Sequence, residues 1–344
     1  MKTYCKYGTH RVIEPLGVLP QAAYKIDSTP ICYDNELLID VDTLNIDSAS
    51  FHQIKDVCNH DEIKMKMMIL DIVNTQGKMQ NPVTKSGGML IGTVHKVGSA
   101  FHNQSLNKGD KIATLVSLSL TPLFIEEISS INLTNEQVNI KGKAILFDSG
   151  IYAVIPSDMN EKLALAALDV AGAPAQVQKL AKKNDIVFII GAAGKSGMLC
   201  SYEAKKQVGK NGRVIGLVQN EQQKEMMIAN QLCDEVFVGD ALNSLETYEK
   251  MMKLTEGKLA DLTINVVNVE NTEMTSILST KDQGIVYFFS MATSFTKAAL
   301  GAEGIGKDVT MMIGNGYTKN HAEITLNILR ESKEIYHLLV QKYV

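Results

Sequence analysis

Residues 185–197 read Asp-Ile-Val-Phe-Ile-Ile-Gly-Ala-Ala-Gly-Lys-Ser-Gly, and no other stretch constrains the fold as much. Five apolar residues in a row, Ile186 to Ile190, fit a strand buried on both faces. The glycines that follow allow a tight turn, and a helical pattern over 196–208 opens directly from it. Such a turn lets the backbone approach a pyrophosphate, while the helix N-terminus offers free N–H groups and partial positive charge. The segment predicts a dinucleotide site formed by Gly191, Ala192, Ala193, Gly194, Lys195, Ser196 and Gly197. The spacing from Gly191 is not that of a phosphate-loop ATPase motif.

The surroundings agree with a doubly wound sheet. From residue 161 onward, helical runs (163–168, 175–182, 221–232, 245–254, 272–278) alternate with apolar strands (213–218, 235–238, 262–267, 285–289, 309–313). Residues 321–343 read as one amphipathic helix. Before residue 160 the pattern is different. Short β-type runs at 36–41, 92–97, 111–116, 144–147 and 152–155 are separated by turn signals, which suggests a barrel-like β domain. The methionines of 64–70 read as packing residues. A chain of 344 residues has room for two domains at ~150 residues each.

A net charge of −4 gives no footprint for nucleic acid or for an anionic membrane surface. No apolar run approaches the ~18 residues of a membrane span, and residues 1–6 carry no export signal. Five cysteines, the closest pair 26 residues apart, give no zinc-ribbon or disulfide pattern and fit reduced thiols in the cytoplasm. The second strand of the alternating half ends Val218-Gln219-Asn220, without the acid that usually holds an NAD ribose and without an arginine for a 2′-phosphate. Gln219 or Asn220 is expected to contact the ribose. Glu221 favours NAD over NADP, although Lys224, one turn on, leaves NADP open.

Two further stretches carry a resemblance. Gly87-Gly88-Met89-Leu90-Ile91-Gly92-Thr93-Val94 with Val97-Gly98, then Lys108-Gly109-Asp110-Lys111-Ile112, resembles the medium-chain dehydrogenase/reductase signature. Residues 7–21, from Tyr7-Gly8-Thr9-His10-Arg11 to Pro20-Gln21, are similar to the opening of the 3,5-diaminohexanoate dehydrogenase family. The resemblance spans essentially the whole chain. It implies an α/β fold: a GroES-like β-barrel domain (1–160 and 316–344, the last helix returning to the barrel) and a Rossmann doubly wound parallel sheet (161–315). It also implies a homodimer joined along the last Rossmann strand.

Departures from the superfamily pattern matter as much. Gly88 and Met89 stand where zinc-dependent members have His and Glu, and residues 121–144 lack the cysteines of the structural zinc lobe. Asn45 or Asp47 takes the place of one catalytic zinc ligand and Asp169 that of another. A zinc-free enzyme is therefore expected. The family implies NAD-dependent oxidative deamination of a small diamino acid at C3. Buried ammonium groups need carboxylate partners, so Asp169 and Asp47 are the catalytic candidates; a helix cap is the alternative role for Asp169. Arg11 could clamp the substrate carboxylate. Ser48 and His52 are candidate substrate contacts, and His10 a weaker one. Ser290, Met291 and Thr293, after the fifth strand, are expected to line the nicotinamide. The competing function is a zinc-free NADPH-dependent quinone or enoyl reductase.

Overall fold

The computed structural model describes residues 4–133, 136–290, 292–314 and 316–344. Contacts divide the chain into two units, Met1–Asp158 and Met159–Val344.

The first unit opens with a small antiparallel pair, β1 (Val12–Glu14) and β2 (Lys25–Ile26). Then come β3 (Glu36–Asn45), α1 (Ser48–Val57), α2 (Glu62–Gln76), β4 (Met89–Val97), β5 (Lys111–Thr114), β6 (Leu123–Asn132), β7 (Gln137–Phe147) and β8 (Tyr152–Val154). The last six strands named here form one antiparallel sheet, in the order β6-β7-β3-β4-β5-β8. Its core gathers Leu37, Ile39, Leu44, Ile125, Val138 and Ile140 from the sheet with Phe51, Ile54, Met65 and Ile69 from the helices. Neither helix was expected from the sequence. Each is started by an aspartate: Asp47 accepts from Ser50 N at 3.0 Å, and Asp61 from Ile63 N at 2.9 Å. The methionine stretch falls on α2, where Met65 is core and Met67 faces solvent.

The second unit begins with α3 (Glu161–Leu168) and α4 (Gly172–Leu180). It continues β9 (Ile186–Ile190), α5 (Lys195–Val208), β10 (Arg213–Val218), α6 (Glu221–Ala229), β11 (Glu235–Val238), α7 (Ser244–Leu254), β12 (Ala260–Asn265), α8 (Glu273–Ser279), β13 (Thr280–Phe288), α9 (Phe295–Gly304) and β14 (Thr310–Ile313). All six strands are parallel, in the order β11-β10-β9-β12-β13-β14. That is the doubly wound Rossmann order, with its switch point between β9 and β12. Phe188, Ile190, Ile215 and Leu217 bury one face of the sheet beneath α7.

The chain ends in two helices rather than the expected one, α10 (His321–Glu331) and α11 (Lys333–Tyr343). Ser332 breaks the run with extended backbone, and its Oγ accepts from Ile335 N at 3.2 Å as the cap of α11. Sequence reading grouped 316–344 with the β-rich domain. Contacts group them with the parallel sheet instead, since α10 and α11 pack on α3, α4 and α5. The apolar face of α10, with Leu326, Ile328 and Leu329 buried, accounts for that packing.

Candidate functional site

In the second unit a cleft of about 580 Å³ lies at the carboxyl ends of the parallel strands. Its floor is Gly191, Ala193 and Gly194. One wall is Leu217, Val218 and Gln219 with Gln223; Asp240 and Ala241 follow β11, and Val266 to Val269 follow β12. This is the switch-point crevice where doubly wound sheets bind ligands, and its volume suits part of a dinucleotide. Gly194 caps α5 without any side-chain hydrogen bond, so the first N–H groups of the helix are left for a ligand. Gly197 has a packing role: a Cβ there would lie 2.2 Å from Gly191 O and 2.6 Å from the Ala192 carbonyl. Ala192 is buried, its N–H bonded to Leu217 O at 3.1 Å.

The predicted cofactor residues thus divide. Gly191, Ala193, Gly194 and Gln219 line the cleft, whereas Ala192 ties the turn to Leu217 on β10 and Gly197 packs against the turn itself. Asn220 is the cap of α6, its Oδ1 accepting from Gln223 N at 2.9 Å. Glu221 and Lys224 pair with each other at 3.0 Å. Ser290 and Thr293 sit beyond the carboxyl end of β13, where Ser290 Oγ accepts from Ala292 N at 3.1 Å; Met291 lies outside the described residues. Sequence reading missed Gln223, Asp240, Asn268 and Lys342. The first three follow strand ends, a usable signal. Lys342 reaches the cleft from α11, and nothing local in the sequence marks it.

Asp169 ends α3, and its side chain caps no helix; the cap position of α4 is Ala171. Its Oδ2 instead accepts from Lys195 Nζ at 2.7 Å, at the very start of α5. The Lys195 ammonium also lies 5.2 Å from the Tyr343 ring centre. The chain therefore places Asp169 beside the glycine turn through one lysine.

The first unit holds the other predicted residues. Asp47 Oδ1 caps α1, while its Oδ2 is buried and has no hydrogen-bond partner among the described residues. Beneath it the backbone is tight: a Cβ at Gly88 would lie 2.7 Å from Asp47 N and 2.1 Å from Asn45 O. The stretch expected to carry zinc ligands in related enzymes is thus packed directly against Asp47. Ser48 opens α1, and its side chain lies outside the described residues. His52 is exposed on α1, its Nδ1 3.4 Å from Glu136 Oε1.

Arg11 requires a correction. It is fully buried, and all five of its N–H donors are used. Nε and one terminal nitrogen grip both oxygens of Glu36 at 2.7 Å, and the remaining donors reach Asp27 O, Thr29 O and Ile31 O. No donor remains for a substrate carboxylate. His10 joins the same knot, with Nε2 2.8 Å from Glu36 Oε1. Burial works to raise the Glu36 pKa, but hydrogen bonds from Arg11, His10 and Tyr33 N outweigh it and hold it below the usual carboxylate value.

Fold and cleft together define an α/β protein of dehydrogenase type, a GroES-like β unit followed by a Rossmann unit. Among solved structures, an alcohol dehydrogenase of Thermotoga maritima superposes with a TM-score of 0.55, at 13% identity, covering 92% of this chain and 86% of that one. The profile of the L-erythro-3,5-diaminohexanoate dehydrogenase N-terminal domain matches residues 10–156. The L-erythro-3,5-diaminohexanoate dehydrogenase of Acetoanaerobium sticklandii is 60% identical over 341 residues, 99% of each chain. The protein of the same name from Fusobacterium nucleatum is 57% identical over 345 residues, 100% of each. The chain belongs to the L-erythro-3,5-diaminohexanoate dehydrogenase family.

Proposed function

We propose that the protein oxidatively deaminates L-erythro-3,5-diaminohexanoate at C3, forming 5-amino-3-oxohexanoate, ammonia and NADH in anaerobic lysine degradation. The single observation that carries this is 60% identity over 99% of both chains to a dehydrogenase of that name. The competing quinone or enoyl reductase is not favoured by relatives at 57–60% identity.

A nicotinamide dinucleotide supplies the hydride acceptor. NAD is preferred over NADP because the cleft wall at β10 offers Gln219 and Gln223, with Asp240 beyond, and Lys224 is held by Glu221. A 2′-phosphate would meet neutral amides and a carboxylate there. The uncapped N-terminus of α5 holds the pyrophosphate, and Gln219 reaches the ribose. Ser290, Met291 and Thr293 retain the proposed role of nicotinamide contacts.

The substrate amine at C3 must lose a proton before its C–H bond gives up hydride. Water then adds to the iminium carbon, and ammonia leaves as the ketone forms. Asp169 is proposed to face a substrate ammonium, since its carboxylate is half exposed beside the glycine turn. Asp47 is proposed as a catalytic carboxylate in its own right, supported by one buried oxygen that has no hydrogen-bond partner among the described residues. Ser48 and His52 are proposed as its neighbours toward substrate. Metal independence is part of the proposal: Gly88 and Met89 cannot serve as zinc ligands. Dimerisation is proposed through β14, the outer strand of its sheet, where Ile313 is 57% exposed. A cytoplasmic location is proposed as well; among the described residues no helix is long and apolar enough to cross a membrane.

The test is NADH formation from purified protein, NAD and the diamino acid at alkaline pH, with NADPH and a quinone as the counter-assay. Asp169→Asn is expected to lose at least a hundredfold in kcat/KM while still binding NADH. Undiminished turnover in that variant would remove Asp169 from the chemistry.

A further inference from the structure

We propose that Lys195 couples the two ligands: dinucleotide binding draws its ammonium away from Asp169 and so frees that carboxylate for the substrate. This rests on the reading of Asp169 as the carboxylate for a substrate ammonium.

Lys195 is the first residue of α5, directly after Gly194 in the cleft floor. A lysine there could extend along the cleft. Instead it folds back, so that its Nζ sits 2.7 Å from Asp169 Oδ2 with the Tyr343 ring on another side. The lysine side chain is only 17% exposed, whereas that of Asp169 is 50% exposed. The carboxylate's charge is therefore already neutralised, by a cation seated at the end of the helix where a pyrophosphate would lie.

Two consequences follow from charge alone. A substrate ammonium arriving before the dinucleotide must displace an existing ion pair, and it binds weakly. A pyrophosphate at the α5 N-terminus brings two negative charges within the sweep of the lysine side chain. The ammonium then turns toward phosphate, and Asp169 is left with an unmet charge facing solvent. Coupling of this kind is reciprocal, so the diamino acid tightens pyrophosphate binding by the same factor, of order tenfold. Tyr343 acts as a positioning residue, offering the ammonium a polarisable face that keeps it out of the cleft.

The test is calorimetric binding of 3,5-diaminohexanoate to the full-length protein, alone and with saturating ADP-ribose. ADP-ribose carries the pyrophosphate but cannot accept hydride, so no turnover intervenes. In wild type, ADP-ribose is expected to tighten diamino-acid binding about tenfold, and adenosine, which lacks phosphate, to leave it unchanged. Lys195→Met is expected to bind the diamino acid alone as tightly as wild type does with ADP-ribose, and to gain nothing further from it. A wild type that ignores ADP-ribose, or one that responds equally to adenosine, overturns the coupling, and this arm decides even if the variant does not fold. A Lys195→Met protein that retains the full enhancement overturns it too. Turnover of the diamino acid without any coupling would sink this inference and leave the proposed function standing; neither binding nor turnover would sink both.

Discussion

Replacing Arg11 by Met distinguishes a structural arginine from a substrate clamp. Arg11 and Glu36 are both fully buried, joined by two 2.7 Å hydrogen bonds, and three backbone carbonyls of 27–31 depend on the same guanidinium. Removing one partner of such a pair leaves a buried charge without its counterion, which costs about 3–5 kcal/mol. His10 and Tyr33 N still reach Glu36, so the lower half of that range is expected. For a unit of this size the loss corresponds to a fall of roughly 10 °C in its melting transition. With no tryptophan in the chain, far-ultraviolet dichroism and tyrosine fluorescence are the natural probes; Tyr33 stacks on the guanidinium itself, its ring centre 4.6 Å from Cζ. The double variant Arg11→Met with Glu36→Leu is expected to recover much of the loss, because it removes both buried charges together. KM for the diamino acid, measured well below the transition, is expected to stay within about twofold, since no Arg11 donor is left for a ligand. An unchanged melting transition combined with a KM raised tenfold or more would refute the reasoning and restore the clamp.

Other outcomes follow from the same geometry. Gly197→Ala puts a Cβ 2.2 Å from Gly191 O; about 1–3 kcal/mol of overpacking is expected to displace the turn and weaken ADP-ribose binding at least tenfold, read by calorimetry. Lys78 is fully buried against Pro20 O and Gln21 O, and burial lowers its pKa to about 8. Because the unfolded chain holds that proton up to a pH near 10.4, the folded state carries the cost of the buried charge below pH 8 and sheds it as pH rises from 8 toward 10.5. The stability of wild type relative to Lys78→Met is therefore expected to improve by about 3 kcal/mol across that window in urea titrations; a flat difference would deny the shift. For Glu36 the sign is opposite: its folded pKa is depressed, so its contribution is complete above the ordinary carboxylate range and is lost as pH falls through the lowered value. Glu36→Gln is accordingly expected to flatten the acid limb of the melting curve against pH.

Much of the second unit was legible in the sequence because a parallel sheet leaves strong local marks. Strands such as Ile186–Ile190 are buried on both faces and read as solid apolar runs, and the helix after the glycine turn has its own period. The first unit was harder. β6 carries Leu123, Ile125, Ile128 and Ile131 inward, at spacings of two, three and three, because its register shifts twice against β7. The alternation that announces a strand is broken there, and the stretch passes unrecognised. α2 hid for another reason: its apolar residues continue around the helix, with Met67 and Ile63 exposed, so no clean polar face stands out.

The site divides along the same line. By itself the sequence determined the glycine turn, the order of strand and helix around it, and the family to which the chain belongs, since these depend on contiguous residues. Tertiary structure alone decided that Arg11 is spent on Glu36, that Asp169 is held by Lys195, that one oxygen of Asp47 has no hydrogen-bond partner among the described residues, and that Lys342 from the last helix borders the cleft. The physical reason is that a charged side chain's role depends on which partners reach it. Those partners stand 25 residues away for Arg11 and 26 for Asp169, brought within hydrogen-bond distance only by the packing of strands and helices.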